Sequence, residues 1–300
     1  MDALVIEDVT KAFGSVQAVN GLSARIPPGS VYGFLGPNGA GKTTTLRMVM
    51  NIISPDSGSI QVLGRSSREG VAGRIGYMPE ERGLYRKMKV TAVIAYFGKL
   101  KGMSRQDLTG AIPRWLEDVD LAEWANKRVE DLSRGMQQKL QFVVTAINDP
   151  DLLILDEPFS GLDPVNLELL RGIMLRLRDA GKTVIFSTHM MEQAEKLCDF
   201  ILLINNGRSI IDGTLDQIRS RYPSNTVAVE LAGEADFIAE LPMVQGGECS
   251  GGKLGISLGE GGDPQDLLRN LVGKVDIRSF EVRTPSLHDM FVDLVRTNDA

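Results

Sequence analysis

Long apolar runs are missing from the sequence. No window approaches the about 20 mostly apolar residues that a helix needs to cross a bilayer, and the best runs, such as residues 200–204, have only the length of a strand. The chain opens with Met1-Asp2-Ala3 and lacks the basic segment and apolar core of a secretory signal. We therefore expect a cytoplasmic protein, for which any role at a membrane requires a partner.

Cysteine and net positive charge are also scarce. Cys198 and Cys249 match no metal-ligand or redox spacing, so we interpret both as plain thiols. The formal net charge of -6 argues against a general nucleic-acid-binding surface, which needs excess Lys and Arg to neutralise phosphates. With 300 residues, of which 43% are hydrophobic, the chain suits one large folded domain plus a small one.

The first domain is predicted to span residues 1–222 and to be α/β. Up to about residue 211, short β-rich runs alternate with segments of helical periodicity, which indicates a mainly parallel sheet covered by helices. The stretch at about 84–148 breaks this rhythm because it is mostly helical, with Ser104 as an expected N-cap. We interpret it as a helical subdomain inserted into the α/β domain.

A small α+β domain is predicted for residues 226–300. Thr214-Leu215-Asp216-Gln217 has the pattern of a capping box, and Tyr222-Pro223-Ser224-Asn225 supplies residues that break helices, so we expect the first domain to end there. Beyond it the pattern predicts β, α, β, β, α and β elements, which are residues 226–231, 235–241, two strands around 246–252, a helix after Asp263-Pro264, and residues 275–282. This βαββαβ order is typical of a ferredoxin-like domain.

A final helix is predicted after that domain. Thr284 is a suitable cap and Pro285 suits the first helical position. Apolar residues then recur at helical spacing, namely Leu287, Met290, Phe291, Leu294 and Val295.

Residues 36–44, GPNGAGKTT, follow an apolar strand and precede a helical pattern. In this context G-x-x-x-x-G-K-[ST] is a phosphate-binding loop rather than a glycine-rich turn. Glycines let backbone N–H groups curl around phosphate oxygens, Lys42 reaches the β- and γ-phosphates of a nucleotide, and the Thr43 hydroxyl can ligate Mg²⁺. The residues expected to contact the nucleotide in this loop are Gly36, Pro37, Asn38, Gly39, Ala40, Gly41, Lys42, Thr43 and Thr44.

Two carboxylates follow a second buried strand. Four apolar residues precede Asp156-Glu157-Pro158, and ligands of open α/β sheets bind at the carboxyl edge of such strands. We expect Asp156 to face a hydrated Mg²⁺ and Glu157 to orient the water that attacks the γ-phosphate. Without the phosphate-binding loop, the two acids could equally be a polar strand end.

Three further segments give the chain a family resemblance. Residues 132–138 read LSRGMQQ, residues 160–164 read SGLDP, and Thr188-His189 follows a predicted strand. Together with the loop and the two acids, which stand in the same order, they resemble the nucleotide-binding domain of ABC transporters over about residues 4–221.

The resemblance implies a role for several residues. Ser133 and Gly135 open a signature helix whose N-terminus binds the γ-phosphate of ATP held by the opposite subunit. Asp163 belongs to a D-loop, and His189 corresponds to a switch histidine that contacts the γ-phosphate. By the same resemblance Lys42, Glu157 and His189 are the catalytic residues, whereas His288 is interpreted as structural.

Several positions refine the family pattern or depart from it. Phe13 falls where the family stacks an aromatic residue on adenine. Glu80 falls where most members carry the glutamine of the Q-loop, near the γ-phosphate and Mg²⁺, so we assign it to the nucleotide and metal sites. Arg134 and Met136 also replace the commoner glycine and glutamine of the signature. Such variants are familiar in export-type members.

The tail resembles the small C-terminal domain of some ATPases that power two-component exporters of drugs, ions or antibiotics. The resemblance rests chiefly on PSLHDMF at residues 285–291. It implies an ABC-2, drug- or sodium-exporter-like system in which this chain is the ATP-hydrolysing subunit.

The implied partners are a second copy of the chain and a separate transmembrane permease. A signature cannot serve the P-loop of its own chain in this family, so a head-to-tail homodimer encloses two ATP molecules, and ATP-driven closure is the power stroke. The protein would then be peripheral on the inner face of the membrane. Two alternatives remain: a soluble ABC ATPase that acts on ribosomes or nucleic acid, and a P-loop GTPase or kinase, although the Asn-Lys-x-Asp guanine motif is missing.

Overall fold

The computed structural model describes residues 1–66, 72–81, 83–220, 226–232, 236–250, 253–259, 262–283 and 286–291. The chain divides into two compact units, Met1–Leu215 and Asp216–Ala300. Tyr222 and its neighbours at 221–225, where the sequence predicts the domain boundary, lie outside the described residues. That boundary stays a prediction.

The first unit is built on two sheets. Its strands are β1 (Leu4–Phe13), β2 (Val16–Ile26), β3 (Val31–Leu35), β4 (Ser57–Val62), β5 (Arg65–Ser66), β6 (Ile75–Met78), β7 (Leu152–Asp156), β8 (Thr183–Thr188), β9 (Phe200–Asn205) and β10 (Arg208–Thr214). One sheet has the order β10-β9-β3-β8-β7-β6 and is parallel except for β10. The other has the order β2-β1-β4-β5 and is antiparallel. The mainly parallel sheet agrees with the prediction, whereas the antiparallel sheet was not predicted.

Seven α-helices accompany these strands in the described part of the chain. They are α1 (Lys42–Val49), α2 (Val90–Leu100), α3 (Arg105–Asp118), α4 (Arg134–Ala146), α5 (Pro164–Asp179) and α6 (Met191–Leu197), and α7 (Leu215–Ser220) follows at the sequence boundary between the units. Residues 84–148 are mostly helical, and their being an inserted subdomain stays a prediction. Helix α3 begins at the expected cap, because Ser104 Oγ accepts from Asp107 N at 3.1 Å while Ser104 N donates to the Asp107 carboxylate.

The core of the first unit holds helix α1 between the two sheets. Leu46 and Met48 of α1 share one buried cluster with Leu22 of the antiparallel sheet and Ile154 and Ile185 of the parallel sheet. Strand β7 is buried along its whole length, as its apolar run predicts for a central strand of a parallel sheet. This packing fixes α1 and the loop before it relative to the carboxyl ends of β7 and β8.

The second unit is an antiparallel sheet with helices on one face. Its elements are β11 (Thr226–Ala232), a 3₁₀ helix (Asp236–Glu240), β12 (Val244–Ser250), β13 (Lys253–Leu258), α8 (Pro264–Leu271) and β14 (Asp276–Arg283). The strand order β12-β13-β11-β14 is that of a ferredoxin-like βαββαβ unit. Its core includes Val227, Ile238, Ile256, Leu267 and Leu271.

Two predicted helices of the second unit differ in detail. The helix expected at 235–241 is a short 3₁₀ helix ending at Glu240, because Pro242 disfavours helical backbone at Leu241. Thr284 and Pro285, the expected start of the final helix, lie outside the described residues, as do Leu294 and Val295. In the described part Ser286 caps that helix by exchanging hydrogen bonds with Asp289. Among the described residues no helix is long and apolar enough to cross a membrane.

Candidate active site

The loop between β3 and α1 is shaped by glycines. Gly36 has φ 149° and Gly41 has φ 105°, which L side chains rarely adopt. A Cβ at Gly36 would lie 2.1 Å from Ile204 O, and one at Gly41 would lie 2.4 Å from Ala18 O. Both positions therefore require glycine. The loop leads directly into the N-terminus of α1, where free backbone N–H groups suit an anion.

Lys42 lies buried beneath this loop. Its Nζ donates to Gly36 O at 2.7 Å and to Pro37 O at 3.0 Å, and lies 4.0 Å from Glu157 Oε1. Burial lowers the pKa of Lys42, while the carboxylates of Glu157, Asp156 and Glu80 oppose that shift. The ammonium group of Lys42 thus lies between the loop and the carboxylates of Glu157, Asp156 and Glu80.

Asp156 ends β7 in a polar cluster. Thr43 Oγ1 donates to Asp156 Oδ1 at 3.1 Å, and Ser187 Oγ, at the end of the neighbouring strand β8, donates to the same oxygen. The other oxygen, Asp156 Oδ2, is buried and has no hydrogen-bond partner among the described residues. A buried carboxylate oxygen without a partner is unfavourable unless a cation or bound water completes it.

This donor set fits Mg²⁺. A hydroxyl and one or two carboxylates, together with substrate phosphates and water, form the usual octahedral site of this ion in nucleotide-binding proteins. Thr43 and Asp156 are therefore the residues that would hold the metal, and the open oxygen of Asp156 is the observation that supports the fit.

Glu157 follows directly but faces a different neighbour. Its backbone has φ 50°, in the left-handed region, so its side chain does not continue the alternation of the strand. Glu157 Oε1 lies 3.0 Å from His189 Nδ1, and Glu157 N donates to Ser187 Oγ at 3.0 Å. The carboxylate is buried, whereas the His189 side chain is about half exposed. A histidine thus orients one oxygen of a buried acid.

A cleft of about 320 Å³ lies against Lys42, Thr43 and Glu157. It is lined by Ala18 of β2, by Glu80 and Glu157, and by the loop residues Asn38, Gly39, Ala40, Gly41, Lys42, Thr43 and Thr44. Glu80 is exposed at its rim and lies close enough to Lys42 to affect its pKa. Arg82, a possible basic neighbour of Glu80, lies outside the described residues.

The predicted site residues that do not line the described cleft include Phe13, Ser133, Gly135 and Asp163. Phe13 ends β1 with about half its surface exposed, and Lys11 Nζ lies 5.6 Å from its ring centre. Ser133 is the exposed N-cap of α4, where its Oγ accepts from Met136 N.

The other two lie at neighbouring helix starts. Gly135 lies beside the D-loop, since a Cβ there would be 3.6 Å from Leu162. Asp163 caps α5, and its hydrogen bonds with Asn166 hold the pKa of this carboxyl below its ordinary value.

Two side chains of the site escape prediction from sequence. Ser187 bonds both to Asp156 and to the backbone of Glu157. Gln141 of α4 donates to Pro79 O at 2.8 Å and so ties the signature helix to the segment before Glu80. A polar residue at the carboxyl end of a buried strand is the only local signal for Ser187, and Gln141 has none.

Comparison with known proteins agrees with this arrangement. Residues 19–160 match the family model described as ABC transporter, and residues 213–295 match the model of the C-terminal domain of DrrA1-3-like ATP-binding proteins. The chain is 41% identical over 293 residues to an uncharacterised ABC transporter ATP-binding protein, YhaQ, of Bacillus subtilis (strain 168), covering 97% of this chain and 98% of that protein.

Two further relatives agree. The Nod factor export ATP-binding protein I of Rhizobium sp. (strain N33) is 37% identical, covering 97% of this chain and 96% of the relative. A solved structure described as the ATP-binding subunit of an ABC transporter is 28% identical with a TM-score of 0.69, covering 73% of this chain and 93% of that one. The first unit thus has the α/β P-loop fold of ABC ATPases, and the chain belongs to the family of ABC transporter ATP-binding proteins.

Proposed function

We propose that this chain binds Mg-ATP, hydrolyses it, and uses the closure of an ATP-bound homodimer to drive a separate membrane exporter. The observation that carries the proposal is the meeting, at one edge of the parallel sheet, of the loop cation Lys42, the Thr43–Asp156 pair and the Glu157–His189 pair. The first pair supplies ligands for Mg²⁺ and the second supplies a base for the attacking water, and phosphoryl transfer to water requires both.

The roles follow from the contacts. The loop N–H groups and Lys42 bind the phosphates, and Thr43 and Asp156 hold Mg²⁺, which neutralises phosphate charge when bound. Glu157 accepts a proton from the attacking water, because its carboxylate is buried near Lys42 and oriented by His189. Glu80, at the rim of the same cleft, acts near the metal.

The dimer is proposed from the exposed residues outside the cleft. Ser133 and Asp163 cap the starts of α4 and α5, and Gly135 lies beside them, so free N–H groups of α4 face outward. They suit the γ-phosphate bound by a second copy of the chain, with Phe13 against adenine. Two such exchanges in a head-to-tail pair make two composite sites.

The membrane partner is proposed from the relatives and from the helical insertion. Relatives of this chain are named as Nod factor export ATP-binding proteins, which supports export. At the root of the insertion Tyr85 and Tyr96 are exposed aromatic residues whose ring centres lie 5.3 Å apart. Exposed aromatic clusters are typical of interaction surfaces, and this one suits a cytoplasmic helix of the permease. The protein is then cytoplasmic and peripheral on the membrane.

A hydrolysis assay on the purified chain tests the proposal. We expect Mg²⁺-dependent release of phosphate from ATP, loss of that activity in Lys42→Ala, and loss of hydrolysis with retained ATP binding in Glu157→Gln. Glu117→Gln, the same change on the exposed surface of α3, serves as the control and should match wild type. Wild-type turnover in Lys42→Ala would refute the site. Detergent co-purification of the tagged chain with a multi-spanning membrane protein tests the partner.

A further inference from the structure

The second unit contains a cavity that ATP chemistry does not use. It measures about 340 Å³ and lies between the 3₁₀ helix Asp236–Glu240 and the β12–β13 hairpin. Its walls include the apolar side chains of Ile238, Val244, Leu254 and Ile256. This volume falls in the range of about 300–1,000 Å³ that is usual for sites of small organic molecules.

Gly247 of β12 leaves part of this space open, whereas Gly246 pairs with Ser257 and so lies on the other face of the sheet. Gly247 pairs with Ile256 and therefore lies on the face of the sheet that carries the core. A Cβ at Gly247 would meet only ordinary contacts, 3.5 Å from Gly255 O and 3.6 Å from Leu254, and one at Gly246 would meet nothing within 4 Å.

Neither glycine has a positive φ, so the backbone requires glycine at neither position. Glycine inside a strand weakens it and often marks a bulge or the close approach of a ligand or another backbone. The register shift between Val244 and Gly246 accounts for Gly246, whereas Gly247 lies beyond it in regular pairing. What Gly247 provides is the open volume beside Leu254 and Ile256.

The polar groups at the cavity are few and uncharged. Gln245 lines it, and β12 is the edge of the sheet in the described part of the unit, so alternate backbone N–H and C=O groups of β12 point away from β13. No charged side chain of the described residues lines the cavity. A charged ligand would find no counter-ion there, whereas an uncharged one could hydrogen bond to Gln245 or to the strand.

We propose that this cavity is a binding site for a small, uncharged, mainly apolar molecule with one hydrogen-bonding end. Its apolar body packs on Ile238, Leu254 and Ile256 in the space left by Gly247, and its polar end meets Gln245 or the edge of β12. The site is independent of the nucleotide cleft, since every residue that lines it lies in the second unit.

Titration of the full-length protein with Nile red, an uncharged apolar fluorophore, tests the site. We expect a saturable rise in fluorescence for wild type. Gly247→Leu fills the cavity and should weaken binding at least about tenfold, or by about 1.4 kcal/mol. Ser257→Leu adds the same side chain to an exposed position on the opposite face of the sheet and should bind like wild type.

A second variant and a second dye complete the experiment. Ala239→Phe fills the cavity from its exposed rim and changes no residue of a strand. If the circular dichroism spectrum shows that Gly247→Leu is misfolded, the affinity of Ala239→Phe for Nile red is the deciding result. Binding of the anionic dye anilinonaphthalene sulfonate should be the same in all variants. Absence of saturable Nile red binding, wild-type affinity in a folded filling variant, or a parallel loss of the anionic dye would overturn the proposal.

Discussion

Ser187 is expected to hold the Asp156 carboxylate, which we propose binds Mg²⁺, and Ser187→Ala tests this. Ser187 is fully buried at the end of β8, directly opposite Asp156 in the strand register. Its hydroxyl donates to the Asp156 carboxylate and accepts from Glu157 N at 3.0 Å. Alanine removes both hydrogen bonds and adds no new polar group.

The two bonds differ in what their loss costs. A buried hydrogen bond to a charged group contributes about 1.5–3 kcal/mol. Glu157 N keeps a second acceptor, Ser187 O at 3.2 Å, so losing the hydroxyl there costs only about 0.5 kcal/mol, the low end for a neutral bond. We therefore expect Ser187→Ala to lower the free energy of unfolding of the first unit by roughly 2–3.5 kcal/mol.

Ser30→Ala is the matched control. Ser30 is buried in the same unit, but its hydroxyl makes one neutral hydrogen bond, to Pro27 O at 2.7 Å. Its loss should cost about 1 kcal/mol and leave the metal site intact. Urea unfolding followed by tryptophan fluorescence measures both variants, because both tryptophans of the chain, Trp115 and Trp124, lie in the first unit.

The Mg²⁺ dependence of ATP hydrolysis shows whether Ser187 positions Asp156 or only stabilises the fold. With Asp156 held by Thr43 alone, Ser187→Ala should need more Mg²⁺ for half-maximal ATPase activity, while Ser30→Ala should match wild type. A loss of stability no greater than that of Ser30→Ala, together with an unchanged Mg²⁺ requirement, would refute the reasoning.

Three other predictions concern Glu80, removal of the second unit, and Lys101. Glu80→Gln should retain ATP binding but alter the Mg²⁺ dependence of hydrolysis, with Glu81→Gln as control; superimposable Mg²⁺ titrations would make Glu80 a surface acid. Truncation after Tyr222 should leave ATP binding intact once circular dichroism shows a folded product, and a folded but non-binding product would contradict the division of labour. Burial lowers the pKa of Lys101 to about 8 in the folded protein, whereas its pKa in the unfolded chain is higher. Between these two pKa values the unfolded state binds more protons, so the free energy of unfolding rises with pH. The free energy of unfolding of wild type should therefore increase relative to Lys101→Met above about pH 8, and a pH-independent difference would count against this burial effect.

Local patterns were sufficient to predict much of the fold and the site. The P-loop, the strand that ends in Asp156 and the cap at Ser104 depend on neighbours in sequence, and the structure shows each of these elements. The ferredoxin-like strand order could also be predicted, because the βαββαβ order of elements follows from local sequence patterns and the observed strand order matches it.

Long-range pairing could not be predicted. The antiparallel sheet joins Leu4 to Ile26 and to Val62, and register shifts in β1 break the alternation that would have indicated a strand pair. The role of Ser187 depends in the same way on β7 and β8 being neighbours, which no local pattern encodes. The shared ATP sites of the proposed dimer involve two chains and stay a prediction.

The most direct test of the central claim is the mass of Glu157→Gln in Mg-ATP, measured by size-exclusion chromatography with light scattering. An amide fills the space of the carboxylate but cannot accept the proton, so ATP should persist and hold two 32.7 kDa chains together. Adding Ser133→Arg, which blocks the start of α4, should return the protein to a single chain. A Glu157→Gln protein that binds ATP yet stays monomeric would contradict the account.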